Sequence, residues 1–395
     1  MHGLCKIAPL ILLGMILSGC ASGCEKKNNG PKSRIVMKHD GYEMHVMDNS
    51  ESVSLAFAIN SKGHVLGKKE TVDESGNIFS NVFFFDDGNK QTDLGLLKDY
   101  TNSEVEALSD NGLAVGYASR PVGDPRGSLT ALLWDVNKNK ISQLPHIEGD
   151  SASHAQGISA DGSRIVGYST GNEPQRLRPC LWEKKSGKWV AQALPTKFEY
   201  NPYTMSSSVV ISPDGKLIAS CVTESIENNF LDSCLVMWKQ DTNGKWQSKQ
   251  LNTEQMYVGA MNNAGEIVGD ASNKKGQRSP YFVSPDGEYD MIELLPGTVS
   301  GNAYGINNEG TVVGICNDPP GPDGAVRPFV YHKGERTALK LPKGNEYSLV
   351  YAINDAGQIA GLAEVKFEDR KEKNEETGEE EPVVKALAFI WQPTS

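Results

Sequence analysis

Residues 105–144 show the rhythm that governs the whole chain: four short runs of alternating apolar and polar positions, each closed by residues that favour turns. Residues 105–109 alternate and carry small side chains, and a period of two predicts a strand with one buried face. Ser109-Asp110-Asn111-Gly112 reads as a turn. A Ser or Asn side chain at its first position bonds the backbone two residues on, and Gly at its fourth accepts positive φ. Residues 113–118 are the second strand, 130–135 the third, with Trp134 near its end, and 140–144 the fourth.

The first of these turns belongs to a phrase, (Ala/Gly)-(Ile/Leu/Met)-(Asn/Ser)-x-x-Gly, that recurs seven times. Its copies begin at Ala58, Ala107, Gly157, Val210, Ala260, Gly305 and Ala352, Val210 being the one departure. The turn glycines (Gly63, Gly112, Gly162, Gly215, Gly265, Gly310, Gly357) follow at intervals of 49, 50, 53, 50, 45 and 47 residues. Bulky third runs recur at 82–85, 180–182, 234–238, 281–283, 329–331 and 387–391. Fourth runs end in pairs such as Leu94-Gly95, Leu144-Pro145, Leu194-Pro195 and Leu295-Pro296. Four strands per unit, seven times, predicts an all-β fold: a seven-bladed β-propeller of four-stranded antiparallel blades. A linear β-solenoid would have shorter rungs. The first strand of each blade then lines the axis, which predicts a channel of Ala, Gly, Ser and Asn. The last unit stops after its third strand, and a hairpin around Asp40-Gly41, in residues 34–47, is expected to supply the missing outer strand and seal the ring. Which of its two strands does so is open, as is a partial eighth blade.

Composition adds class and address. Apolar residues at 38% and charged residues at 23% describe a globular chain, and 40 glycines fit many turns. A formal net charge of -11 argues against nucleic acid, which needs a basic surface. Residues 1–19 read as a leader: Lys6 precedes an apolar run at 7–17 that is too short to span a membrane comfortably. Residues 20–33, rich in Lys, Asn, Gly and Ser, read as a flexible tether, leaving 34–395 as one propeller domain with an acidic insert at 364–382, expected to be a solvated loop. An exported chain permits disulfides. Cys221 and Cys234, near the open ends of successive strands, are candidates for a bridge or for two buried thiols.

Two resemblances follow. Leu17-Ser18-Gly19-Cys20 resembles the lipobox of bacterial lipoproteins. That resemblance implies cleavage before Cys20, lipidation of its sulfur and attachment to the cell envelope, with the outer membrane expected because Ala21 follows the cysteine. The run Ala107-Leu108-Ser109-Asp110-Asn111-Gly112-Leu113-Ala114-Val115-Gly116-Tyr117, with later Trp134 and Asp93-Leu94-Gly95, resembles bacterial extracellular repeats of the HAF type. Val82-Phe83-Phe84, Ala131-Leu132-Leu133 and Pro328-Phe329-Val330 stand where those repeats carry His-Ala-Phe. Ile211-Ser212-Pro213-Asp214-Gly215-Lys216 also resembles the repeats of Tol-type periplasmic propellers. Neither repeat family implies catalytic residues.

Familiar constellations for metals, phosphates, dinucleotides and elbow nucleophiles are missing from the sequence, so no catalytic residue, metal or cofactor is assigned. His154, on an inner strand, is read as a hydrogen-bonded strand histidine. Six of the ten arginines (Arg120, Arg126, Arg176, Arg178, Arg278, Arg327) fall in loops joining second to third strands, which emerge on one face. Guanidinium groups ringed there would bind the anionic groups of a glycan or another polyanion. Arg178, Arg278 and Arg327 have the alternative of pairing with neighbouring blades. The sequence thus predicts a non-catalytic, lipid-anchored envelope binding or scaffold protein with a polysaccharide or protein partner. The alternative is a polysaccharide lyase or hydrolase whose site lies at the channel mouth, marked by His, Glu, Asp or Tyr converging there.

Overall fold

The computed structural model describes residues 36–39, 42–47, 53–72, 78–86, 91–100, 102–120, 129–171, 177–196, 205–226, 229–252, 256–272, 276–319, 325–339, 347–373 and 380–394. They form a seven-bladed β-propeller: six four-stranded antiparallel sheets and one of five strands. In each four-stranded sheet chain order equals spatial order, as in blade 2, where Asn102–Leu108, Leu113–Ser119, Leu129–Asp135 and Lys140–Gln143 run from axis to rim. The other inner strands are Ser54–Ile59, Ala152–Ile158, Met205–Ile211, Met256–Met261, Ser300–Ile306 and Ser348–Ile353. Each contacts the inner strands on both sides, and the seventh contacts the first, so the ring closes.

Blade 7 is where the two ends of the fold meet. Its order is Ser348–Ile353, Ile359–Lys373, Glu380–Pro393, Tyr42–Val46 and then Val36–His39. The second strand of the N-terminal hairpin therefore supplies the fourth strand, in the register Met44↔Trp391, and the first adds a fifth outside it. Met44 is fully buried against the inner layer. The acidic insert is not a loop where it is described: its flanking strands pair out to Lys373↔Glu380 as a β-ribbon. Cross-strand hydrogen bonds there override a polar composition that alone reads as unstructured.

The core lies between blades. Val115, Ala131 and Leu133 of blade 2 pack with Ile158, Ile165 and Trp182 of blade 3, and equivalent clusters fill the other gaps. Trp134, Trp182, Trp238 and Trp391 are among the largest fully buried side chains. The indoles of Trp182 and Trp238 donate to the carbonyls of Pro145 and Pro195, 2.7 and 2.5 Å away. At Leu144-Pro145 and Leu194-Pro195 the leucine thus fills the gap between blades and the proline carbonyl meets the next blade's buried indole.

The turns make a second closed circuit. All seven turn glycines have positive φ, from 69 to 86°. Where the turn begins with Asn, the side chain does two jobs. In Asn60 the amide oxygen accepts from Lys62 and His64 within the turn while Nδ2 donates to the Ser109 carbonyl of the next blade. Asn262, Asn307 and Asn354 donate likewise to Asn307, Asn354 and Asn60. Where the turn begins with Ser, a single hydroxyl serves the turn alone, and neighbouring groups bridge instead: Asp110 N to Ala160 O, Ala160 N to Pro213 O, and Asp214 N to the Asn263 side chain.

Candidate functional site

Every inner strand slips by one residue against its neighbour at the same place. The slip falls between Ala56 and Ala58, Val105 and Ala107, Ala155 and Gly157, Val258 and Ala260, Ala303 and Gly305, and Val350 and Ala352. In blade 4 it spans Ser206 to Val209. Such a bulge leaves one residue without a cross-strand partner and re-aims its side chain. Here the extra residues are Phe57, Glu106, Gln156, Gly259, Tyr304 and Tyr351, and all six line the channel.

Glycine on the second strand makes the bulge sterically available. A Cβ at Gly116 or Gly167 would lie 2.0 Å from the carbonyl oxygen of Glu104 or His154, far inside contact distance. Gly67, Gly269, Gly314 and Gly361 occupy the same place in their blades. Blade 4 carries Ser220 instead, whose hydroxyl donates to the Ser208 carbonyl.

The inner strands enclose a cavity of about 780 Å³. Its turn-side half is lined by the small and aliphatic residues of the repeated phrase, as the sequence implies: Ala58, Ala107, Gly157, Ala260, Gly305, Ala352. The other half departs from the expected Ala, Gly, Ser and Asn lining. Phe57, Tyr351 and Tyr304 form a continuous aromatic wall, with ring centroids 5.0 and 5.9 Å apart, and Tyr257 and Tyr347 extend it. Facing the cavity from blades 1 and 2 are Lys68, Glu104 and Glu106. Lys68 Nζ lies 3.5 Å from Glu104 Oε1 and 5.9 Å from the centroid of Phe57. Glu106 Oε1 lies 3.0 Å from His154 Nε2, while His154 Nδ1 meets the Tyr168 hydroxyl at 3.1 Å.

Electrostatics follow burial. Glu104 is held above the usual carboxylate range because burial penalises its charge, an effect that Lys68 offsets only in part. Burial also pushes the Tyr168 hydroxyl to about 12 and lifts Tyr117, beside Glu104 and Glu106, further. Both phenols stay neutral, and that of Tyr168 hydrogen-bonds His154. The Glu106 side chain is 37% exposed, against 11% for His154 and 10% for Lys68. Of the acidic and basic side chains on this wall it is the most open to a ligand.

The arginines behave differently from the expectation of an open anion ring. Strand direction puts Arg120, Arg178, Arg278 and Arg327 at the ends opposite the glycine turns, on one face. Each has a partner inside the fold. Arg178 pairs with Asp150, Arg278 with Asp270, and Arg327 with Asp318 at 2.7 Å. Arg120 lies over the Tyr100 ring, 4.5 Å from its centroid, and donates to its hydroxyl at 2.5 Å. The aspartates belong to the arginine's own blade or to the connection entering it, not to the far neighbour. Arg126, Arg176 and the lipidation candidate Cys20 lie outside the described residues.

The candidate disulfide is corrected. Cys221 stands opposite Leu235 and Cys234 opposite Val222, so the two side chains leave opposite faces of one sheet. They join different inter-blade clusters and are buried thiols, as are Cys180 and Cys316. His154 is the hydrogen-bonded strand histidine expected, now with a partner, Glu106, that is 48 positions away in the chain. Sequence reasoning missed Phe57, Glu106, Tyr304 and Tyr351. The signal was available: they occupy the residue just before the Ala/Gly of the phrase, where the repeats differ most while flanking positions stay alike.

No family model matches the chain, and no curated protein matches it by sequence. Solved structures share its architecture. The β-propeller domain of the trilobed protease from Pyrococcus furiosus, described as having an open velcro topology, aligns with a TM-score of 0.54 at 9% identity, over 85% of this chain and 97% of that one. A structure from a study of two prolyl endopeptidases aligns at 0.56 and 12% identity, over 89% and 51%. A puromycin hydrolase aligns at 0.53 and 12%, over 88% and 55%. The chain spans about half the length of those two peptidases, and at these identities the likeness is one of fold.

Proposed function

We propose that the chain is a lipid-anchored ring of the bacterial envelope that binds a ligand in its central channel and performs no chemistry on it. The observation carrying this reading is the bulge level of the channel, where Glu106 and Gln156 share one cavity with the aromatic wall of Phe57, Tyr351 and Tyr304. A concave, largely apolar cavity with a few converging polar groups is the usual form of a small-ligand site. The anchor rests on the leader and Cys20, and the outer membrane on Ala21 after it. The arginine face is left out of the proposal, because a polyanion would have to displace an internal partner from each described guanidinium.

Glu104 and Glu106 support a second reading. Two carboxyls on one wall, one raised by burial and the other open to the cavity, are the equipment of a glycan hydrolase, with Glu104 as acid and Glu106 as base or nucleophile. They favour a hydrolase over a lyase with a histidine base, since both ring nitrogens of His154 are engaged. The test incubates the Cys20→Ser chain with envelope polysaccharide and small-molecule fractions and follows both by mass spectrometry. Bound material recovered unchanged supports the binding ring. New reducing ends that disappear in Glu104→Gln support the hydrolase instead.

A further inference from the structure

The channel already holds one ammonium group. Lys68 Nζ rests between a carboxylate, Glu104, and an aromatic face, Phe57. Two positions along the same strand as Glu104, Glu106 stands at the bulge level of the cavity that Tyr351 and Tyr304 also line, and among the described residues no Lys or Arg pairs with it. Its Oε1 meets His154, and its Oε2 has no hydrogen-bond partner among the described residues.

From this repetition we infer that the channel takes an alkylammonium group, set against the Glu106 carboxylate and the faces of Tyr304, Tyr351 and Phe57. The inference rests on the channel being the binding site. Geometry supports it: Lys68 is already paired with Glu104, while Glu106, the more exposed of the two carboxyls, faces only the His154 ring among the described residues. An incoming anion would find Lys68 already paired with Glu104. An incoming cation meets a carboxylate and π faces in a partly dehydrated cavity, where such contacts are strongest. The net charge of -11 further favours a cation's approach. An uncharged ligand would use the aromatic wall and leave Glu106 without a counter-charge.

Choline and 3,3-dimethyl-1-butanol have nearly the same shape and differ in the charge of one atom, so they isolate the claim. Both are titrated into the Cys20→Ser chain by calorimetry, with the methyl NMR signals of Leu55 and Leu349, which line the cavity, as reporters of place. Choline is expected to bind at least tenfold more tightly than the alcohol and to shift those methyls. Glu106→Gln, which keeps size and bulge, is expected to weaken choline at least tenfold while leaving the alcohol unchanged. Tyr351→Leu should weaken choline several-fold. Equal affinity for the two probes, an unaffected Glu106→Gln variant, or no binding of choline overturns the proposal. Failure of the channel as a binding site looks different: material taken from the envelope fraction would bind without moving either methyl.

Discussion

Asn354 donates its side-chain amide to the carbonyl of Asn60 at 3.0 Å, across 294 positions of sequence. Both groups are buried, and the bond joins the last turn of the ring to the first. Its partner Oδ1 meanwhile accepts from Gln358 N inside its own turn. One side chain therefore shapes a local turn and closes the whole circuit.

Asn354→Ala should lower stability by about 1–3 kcal/mol, since it leaves a buried carbonyl without its donor. Asn308→Ala, on the exposed rim of the same circuit, should cost less than about 0.5 kcal/mol. Urea denaturation of the two variants checks this, and a loss in Asn354→Ala below about 0.5 kcal/mol would mean that the closing bond contributes nothing specific.

Met44 should matter as much as a central core residue although it comes from the N-terminal hairpin. Paired with Trp391 and fully buried, it predicts a loss of about 2–5 kcal/mol in Met44→Ala. A variant as stable as the parent would show that blade 7 holds together without its borrowed strand.

Gly116→Ala tests the bulge. The added Cβ meets the Glu104 carbonyl, which is backbone and cannot swing aside, so a cost of about 1–3 kcal/mol is expected. Glu106 should move with it. A stable variant with the Glu106–His154 contact intact by NMR would separate the bulge from the glycine.

The thiols report on both fold and redox state. Burial raises the Cys180, Cys221 and Cys316 thiols, so at pH 8 less thiolate is present than at an exposed cysteine and alkylation is slow in the native chain. Raising the pH to 9 should multiply the small thiolate fraction, and with it the rate, by up to about tenfold, while the absolute rate stays below that of an exposed cysteine. Denaturant without reductant should release four further reactive thiols, from Cys180, Cys221, Cys234 and Cys316. Two instead of four would restore the Cys221–Cys234 bridge.

The architecture was legible because each blade repeats one physical solution. Turn chemistry at Gly63 to Gly357, bulky third strands and Leu-Pro endings all point to blades, and the hairpin at Asp40-Gly41 points to closure. Parity was harder to read. Cys221 and Cys234 lie near each other on adjacent strands, but a one-residue offset in register sends their side chains to opposite faces. The bulge caused the larger omission. Strict alternation assigns Ala107 to the channel, whereas the slipped register also turns Glu106 into it, and no periodicity detects an unpaired residue. The four described arginines lie on the expected face, but Asp150, Asp270 and Asp318, the partners of Arg178, Arg278 and Arg327, come from separate strands and loops that only the folded blade brings together.

The most direct test of the channel as the binding site compares two variants of the Cys20→Ser chain for ligand retained from envelope fractions. Glu106→Trp fills the cavity, and Arg120→Ala/Arg126→Ala/Arg176→Ala strips the opposite loops. The account predicts that retention is lost in Glu106→Trp and kept in the arginine variant, with both folded by circular dichroism. Retention kept in Glu106→Trp and lost in the arginine variant would contradict it and return the site to the loop face.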